Sequence, residues 1–142
     1  MTKTVSKAGI AMVMGLSVLL LAGCGKSSGK GATAEPQKEV FKISSKQLFD
    51  KYAQNEVAMD EMMKGKLIQV NGTIQSIDKD PFDNIVIALR TSNQFMPSRL
   101  TLKDSEKSKA ISAKKGSKVV LQCKKMSRLI GSPNGKDCEF VQ

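Results

Sequence analysis

The apolar positions between Ile43 and Gly65 recur with a helical period. Ser44-Ser45-Lys46-Gln47 fits a capping box, with the Ser44 side chain on the Gln47 amide and Gln47 reaching back. Ile43 and Leu48 are spaced for a hydrophobic staple across that cap. Leu48, Phe49, Tyr52 and Ala53 then form one apolar face. Val57, Ala58, Met59, Met62 and Met63 continue the helical pattern after a break near Asn55, and Gly65 ends it. The methionines read as core filling rather than as a metal or adaptable-partner surface. The period then falls to two. Ile68, Val70, Gly72 and Ile74 alternate with polar residues, and Gly72 inside such a strand predicts a bend or bulge. Asp78 to Asn84 is turn-rich. Ile85, Ile87 and Leu89 give a second strand, and Leu100 and Leu102 a third. Asp104 is placed to cap a short helix running to about Lys115, with Gly116 ending it. Val119, Leu121 and Cys123 share a face of a fourth strand, Cys138 and Phe140 a face of a fifth.

The resulting order is helix, three strands, helix, two strands. Without the first helix, that is the order of an OB-fold. The expected class is mainly β (α+β): a five-stranded OB-fold barrel preceded by an N-terminal helix, with a short helix between strands 3 and 4. Residues 41–142 are assigned to it, enough for one compact domain.

The segment before the domain has a different character. Lys3 and Lys7 open the chain, and residues 8–22 then form an uncharged run of 15 that includes Val13, Leu16, Val18, Leu19, Leu20 and Leu21. A spanning helix needs about 20 apolar residues, so the length is that of a secretion signal. The run ends in Leu21-Ala22-Gly23-Cys24, which resembles the lipobox of bacterial lipoproteins. Residues 1–23 are therefore expected to be a signal peptide and Cys24 the lipidated N-terminus. The resemblance implies two or three acyl chains, enough for stable membrane anchoring. Residues 24–40 comprise that cysteine and a Gly-, Ser- and Lys-rich flexible tether. Gly25 resembles the signal for outer-membrane sorting where the envelope has two membranes, which would place the domain in the periplasm.

Charge narrows the partners. The formal net charge is +10; taking Lys3 and Lys7 from 23 basic residues leaves 21 against 13 acidic ones, a net +8. Such a surface either favours anionic partners or simply keeps a small domain soluble. The chain has no His, so it lacks the commonest general base and the commonest transition-metal ligand.

The stretch Leu48 to Asp80 carries Tyr52, then Asn55-Glu56-Val57-Ala58, then Lys64-Gly65-Lys66, then Gly72 and Ile77-Asp78. Lys115-Gly116-Ser117-Lys118-Val119 and Asp137-Cys138 follow. This series resembles the tRNA-anticodon-binding-like family of small bacterial OB-folds, across nearly the whole domain. Family members often carry a Cys in the third strand, and Arg99 to Leu102 has none, so Thr91 to Lys109 matches least. The resemblance implies a fold and brings no catalytic residues.

Cys123 and Cys138 remain after Cys24. A hairpin centred between Ile130 and Gly131 sets them opposite each other, where facing Cα atoms lie about 4.5–5.5 Å apart, within disulfide reach. A disulfide is the expectation in an oxidising compartment, with buried thiols or a redox pair as alternatives. The close Cys-x-x-Cys spacing usual for redox work is absent.

The candidate binding surface comprises Lys114, Lys115, Lys118, Lys124, Lys125 and Arg128, with Lys118, Lys124 and Lys136 expected on the outer face or rim of the last hairpin. Phe82 and Phe95 are the aromatics in apparent loops, while Phe49, Tyr52 and Phe140 read as core. Single-strand binding needs stacking platforms, so nucleic acid is the disfavoured partner. Asp78, Asp80 and Asp83 alternate as calcium ligands can, but without the Gly and distal Glu of an EF-hand loop they read as a solvated turn. No nucleophile motif or spaced carboxylate pair stands out, so neither an enzyme, a cofactor nor a metal is expected. The reading is a non-enzymatic, lipid-anchored binding module of the cell envelope whose ligand is a protein, a peptide or an acidic glycan. The alternatives are an envelope exclusion or stress lipoprotein carried by a mobile element, and a single-stranded nucleic-acid binder.

Overall fold

A computed structural model describes residues 37–141. The signal, Cys24 and most of the tether lie outside the described residues. The elements are β1 (Val40–Ser44), α1 (Ser45–Gln54), α2 (Glu56–Met63), β2 (Leu67–Lys79), β3 (Ile85–Leu89), β4 (Ser98–Leu102), α3 (Lys107–Ser112), β5 (Lys118–Leu129) and β6 (Ser132–Phe140).

Strands β2 to β6 close into a barrel in the order β2-β3-β4-β6-β5, with β5 returning to pair with β2. Closure works because β2 is long enough to serve two neighbours. Its first half, Ile68–Thr73, pairs with Cys123–Lys118 of β5, and its second half, Ile74–Lys79, pairs with Leu89–Ile85 of β3. The irregularity that lets it turn falls between Ile74 and Ser76 rather than at Gly72. Gly72 serves close approach instead: a Cβ there would lie 3.1 Å from the Ser45 Cβ and 3.3 Å from Leu89. The missing side chain lets the start of α1 sit against the barrel wall.

The N-terminal part departs from expectation. A strand, β1, precedes the helix and pairs in parallel with β2, Val40 opposite Leu67 and Ser44 opposite Asn71. Only Val40 falls in the expected tether; Phe41 to Ser44 belong to the expected domain, but Ile43 and Ser44 read as the staple and cap of the helix that follows, which hides the strand. Parallel neighbours need a crossover of a dozen or more residues. The paired helices α1 and α2 supply it. The capping box forms: the Gln47 N–H donates to the Ser44 Oγ at 3.3 Å, and the Ser44 N–H to the Gln47 Oε1 at 3.4 Å. The break falls at Asn55, whose extended backbone ends α1 and whose side chain accepts the Ala58 N–H at 3.0 Å to start α2.

The core fills the barrel and its plugged end. Leu48 and Tyr52 of α1 and Met59 and Met63 of α2 are buried with Ile68, Val70, Ile74, Ile87, Leu89, Leu100 and Leu121. The apolar helix face is narrower than expected: Phe49 is half-buried, and Ala53, Val57, Ala58 and Met62 are exposed.

The helix between the third and fourth barrel strands is also shorter than expected. A 3₁₀ turn spans Asp104–Glu106 and α3 follows, ending at Ser112, and Asp104 makes no capping bond. Ala113 is already extended, so Gly116, at φ +88°, shapes the turn into β5 rather than the helix end. There the Gly116 N–H donates to the Ile74 carbonyl at 2.8 Å, locking the turn to β2.

Candidate binding surfaces at the two ends of the barrel

Strand β5 carries most of the candidate lysines. Lys118 lies opposite Thr73 of β2, and Lys124 lies just past the last β2 pairing at Cys123. Six residues of strand separate them, about 20 Å. The expected single basic surface is therefore two surfaces. Lys114, Lys115 and Lys118 stand at one end. Lys124 and Lys125 stand at the other, where the chain enters the domain through Gln37 and Lys38. Of the two loop aromatics, Phe82 precedes β3 and Phe95 follows it, and both are over four-fifths exposed.

The entry end is built on the β5–β6 hairpin. Its turn falls between Ile130 and Gly131, with Leu129 opposite Ser132 and Cys123 opposite Cys138. The two cysteines are joined in a disulfide with a Cα separation of 4.0 Å. Both are fully buried; the next inward positions, Met126 and Gly135, come three residues on rather than two. Lys124 and Lys125 are consequently both exposed on one strand, and Lys136 and Asp137 on the other. A Cβ on Gly135 would lie 2.7 Å from Leu100 Cδ2 and 2.8 Å from Cys123 Sγ, so its bare backbone lets β4 and the disulfide converge.

Beside this hairpin lies a cleft of about 560 Å³ between β5–β6 and the end of α2. Met63, Ile68 and Met126 give it apolar parts, and Lys38, Lys64, Lys66, Lys124, Lys125 and Lys136 give it charge. Lys64 pairs with Glu61 at 3.0 Å and Lys66 with Glu39 at 3.2 Å. Asp60, the cleft's other acid, accepts the Tyr52 hydroxyl at 3.0 Å. Burial, with that hydrogen bond, raises the Tyr52 pKa well above the usual tyrosine range. Lys38, Lys124, Lys125 and Lys136 make no ion pair among the described residues. Lys125 and Lys136 are direct cross-strand partners, a like-charge placement that destabilises a sheet. Arg128 has a structural engagement: its guanidinium donates to the Tyr52 and Gly131 carbonyls at 3.2 and 3.3 Å and lies 3.7 Å from Glu56.

The far end offers a groove of about 600 Å³, bounded by Asn71–Thr73, Lys118–Val120, Phe140 and Val141. Val120 is exposed there, and Phe140 is half-buried rather than sealed in the core. Helix α3 flanks this groove and is pinned by Glu106, which accepts the Phe140 N–H at 2.9 Å and pairs with Lys109 at 3.1 Å. The Phe140 N–H, with Lys109 beside it, holds the Glu106 pKa below the usual carboxylate range.

The three loop aspartates have separate partners. Asp78 accepts from the Ser76 hydroxyl and Asp83 pairs with Lys79, each at 2.6 Å. Asp80 accepts the Phe82 and Asn84 N–H groups and the Asn84 side chain, each at 2.9 Å. The Asn84 side-chain bond is the main cause of its lowered pKa. Among the described residues no three His, Cys, Asp or Glu side chains gather to hold a metal.

Reading by residue type found Lys124, Lys125 and Lys136 but not Lys38, Lys64 and Lys66, which only the crossover brings alongside. The facing of Lys125 and Lys136 was implicit in the same hairpin register that paired the cysteines.

A closed five-stranded barrel with a helix between its third and fourth strands is an OB-fold. The sequence matches the tRNA_anti-like family over residues 5–139, and the protein belongs to that family. No curated protein matches the chain. Among solved structures it is similar to a lipoprotein from Klebsiella pneumoniae subsp. pneumoniae that bears a provisional nucleic acid-binding designation. The identity is 15%, the TM-score 0.51, and the match covers 70% of this chain and 92% of the other. A chain of the S. pombe Stn1–Ten1 complex matches at 21% identity and TM-score 0.41, over 54% of this chain and 58% of that one. At 15% identity the Klebsiella likeness speaks for a shared fold.

Proposed function

We propose that this protein is a non-enzymatic binding module, held in the cell envelope by lipid on Cys24, that captures an acidic protein or peptide segment or an acidic glycan. Where the envelope has two membranes, outer-membrane anchoring with the domain in the periplasm fits Gly25. The observation that carries the binding reading is the far-end groove. It combines the exposed Val120 and the half-buried Phe140 with Lys118, and Lys114 and Lys115 stand in the turn leading to it. Apolar contact with lysines at hand suits a chain carrying both acidic and apolar groups.

Nucleic-acid binding is the second reading, favoured by the basic surface and by the designation of the Klebsiella lipoprotein. Against it, Phe82 and Phe95 stand at opposite ends of β3, about 17 Å of strand apart, and offer no continuous stacking platform.

One titration series separates the two. A Glu/Leu peptide, an acidic polysaccharide and an oligo-dT strand are each titrated against wild type and Lys118→Glu/Val120→Asp. Peptide or polysaccharide affinity is expected to fall at least tenfold in the variant. Tight dT binding with a steep salt slope, and none to the other two probes, transfers the function to nucleic acid. Palmitate labelling tests the anchor: equal labelling of wild type and Cys24→Ala refutes it.

A further inference from the structure

The entry end differs from the far end in three ways that point to one partner. First, it gathers four lysines without ion pairs among the described residues, two of them facing each other across the β5–β6 ladder. An anion between Lys125 and Lys136 would turn that unfavourable pair into a favourable one. Second, the hairpin runs on past the start of β2 to a tip of Leu129 and Ile130, which are 59% and 91% exposed. Ile130 has φ +48°, a left-handed conformation that suits Gly or Asn and is costly for a β-branched residue. A large apolar side chain is thus displayed at the hairpin turn at a conformational cost. Third, the chain enters the domain here: Lys38 lines the cleft, and 13 residues separate it from Cys24. A stretch of that length reaches at most about 50 Å, so a lipid on Cys24 would hold this end within that distance of the bilayer.

We propose that the entry end is a membrane-docking surface. Lys38, Lys124, Lys125 and Lys136 meet the phosphates of anionic lipid headgroups, and Leu129 and Ile130 enter the interfacial layer. The far-end groove is then turned away from the membrane, toward a partner in the surrounding compartment. The inference draws on the tether reading only for proximity, and the docking chemistry stands without the lipid.

The test therefore uses the anchor-free chain from Gly25 onward, since the barrel, its helices and its disulfide all lie within the described residues. It is mixed with phosphatidylcholine vesicles, with vesicles containing phosphatidylglycerol, and with soluble glycerol phosphate. Binding is expected to phosphatidylglycerol vesicles, to weaken with salt, and to be absent with phosphatidylcholine. Each lysine near an anionic surface contributes about fivefold, so Lys124→Glu/Lys125→Glu/Lys136→Glu should weaken binding at least a hundredfold. Ile130→Asp should weaken it about tenfold. The equal charge change in Lys114→Glu/Lys115→Glu/Lys118→Glu should cost less than fivefold. Equal losses from the two triple variants would reduce the effect to net charge and overturn the proposal. So would the absence of vesicle binding, or saturable glycerol phosphate binding that the vesicles do not strengthen. Thermal melts confirm folding, and Lys125→Glu alone, which gives Lys136 an opposite charge, guards against a folding artefact. Failure here leaves the peptide and polysaccharide titrations at the far end unaffected, so the two readings fall separately.

Discussion

The two ends of β5 are made of similar residues and differ in what restrains them. At the far end, Lys118 pairs with Thr73 of β2 while α3 is held by Glu106, so lysine and valine stand on a surface supported from both sides. At the entry end, β5 has left β2 for β6, the hairpin is held instead by β4 at Asn134 and Gly135 and by Arg128 on the Tyr52 carbonyl, and like charges face each other. The disulfide sits at the boundary, at the last residue of β5 that β2 still holds. The lesson is that charge near a barrel acquires meaning from the backbone beneath it. A lysine with no like charge across the ladder costs little. An opposed pair across the ladder costs stability and calls for a reason.

The largest effect should come from removing the clasp. Cys123→Ser/Cys138→Ser is expected to lose about 3 kcal/mol in urea unfolding, and wild type in reductant should match it. Equal stability with and without reductant would show that the hairpin needs no clasp and would dissolve the contrast between the ends. Gly135→Ala should follow at about 2 kcal/mol, because a Cβ there collides with Leu100 and the Cys123 sulfur.

Glu106→Gln is expected to cost about 1 kcal/mol at neutral pH by removing a charged acceptor from the Phe140 N–H. Because the folded pKa of Glu106 lies below its unfolded value, its stabilisation is fully present above the ordinary carboxylate range. It is lost as pH falls through that range and below. The variant should therefore show a shallower acid limb in a pH series of thermal melts, and identical limbs would remove Glu106 as the brace of the far end.

The smallest effect has the opposite sign. Lys125→Glu should raise stability by about 0.5 kcal/mol, because it faces Lys136 with an opposite charge. A destabilised variant would mean that the lysine pair is not in tension. A gain in stability coupled to weaker binding of anionic vesicles would mark Lys125 as kept for binding.

Local sequence determined a great deal here. The capping box at Ser44, the break at Asn55 and the hairpin centre at Ile130-Gly131 involve neighbours a few residues apart, so the chain alone carries their geometry. The Cys123–Cys138 pairing followed from that hairpin centre because an antiparallel register propagates without outside help. The element order also gave the barrel class. What escaped was whatever depended on distant partners. β1 exists because β2 offers it an edge, and in sequence its Ile43 and Ser44 read as the staple and cap of α1 rather than as strand. Asp104 resembled a helix cap, yet the chain enters α3 through a 3₁₀ turn and places Glu106 on β6 instead. The basic residues were all visible in sequence, but their division into two ends was not. That division is set by where β5 leaves β2, and Lys38, Lys64 and Lys66 reach the entry cleft only because the crossover of α1 and α2 returns the chain to the start of β2. The sequence by itself determined local turns, caps and register; tertiary structure decided which charges share a surface, because that depends on strand pairing between residues far apart in the chain.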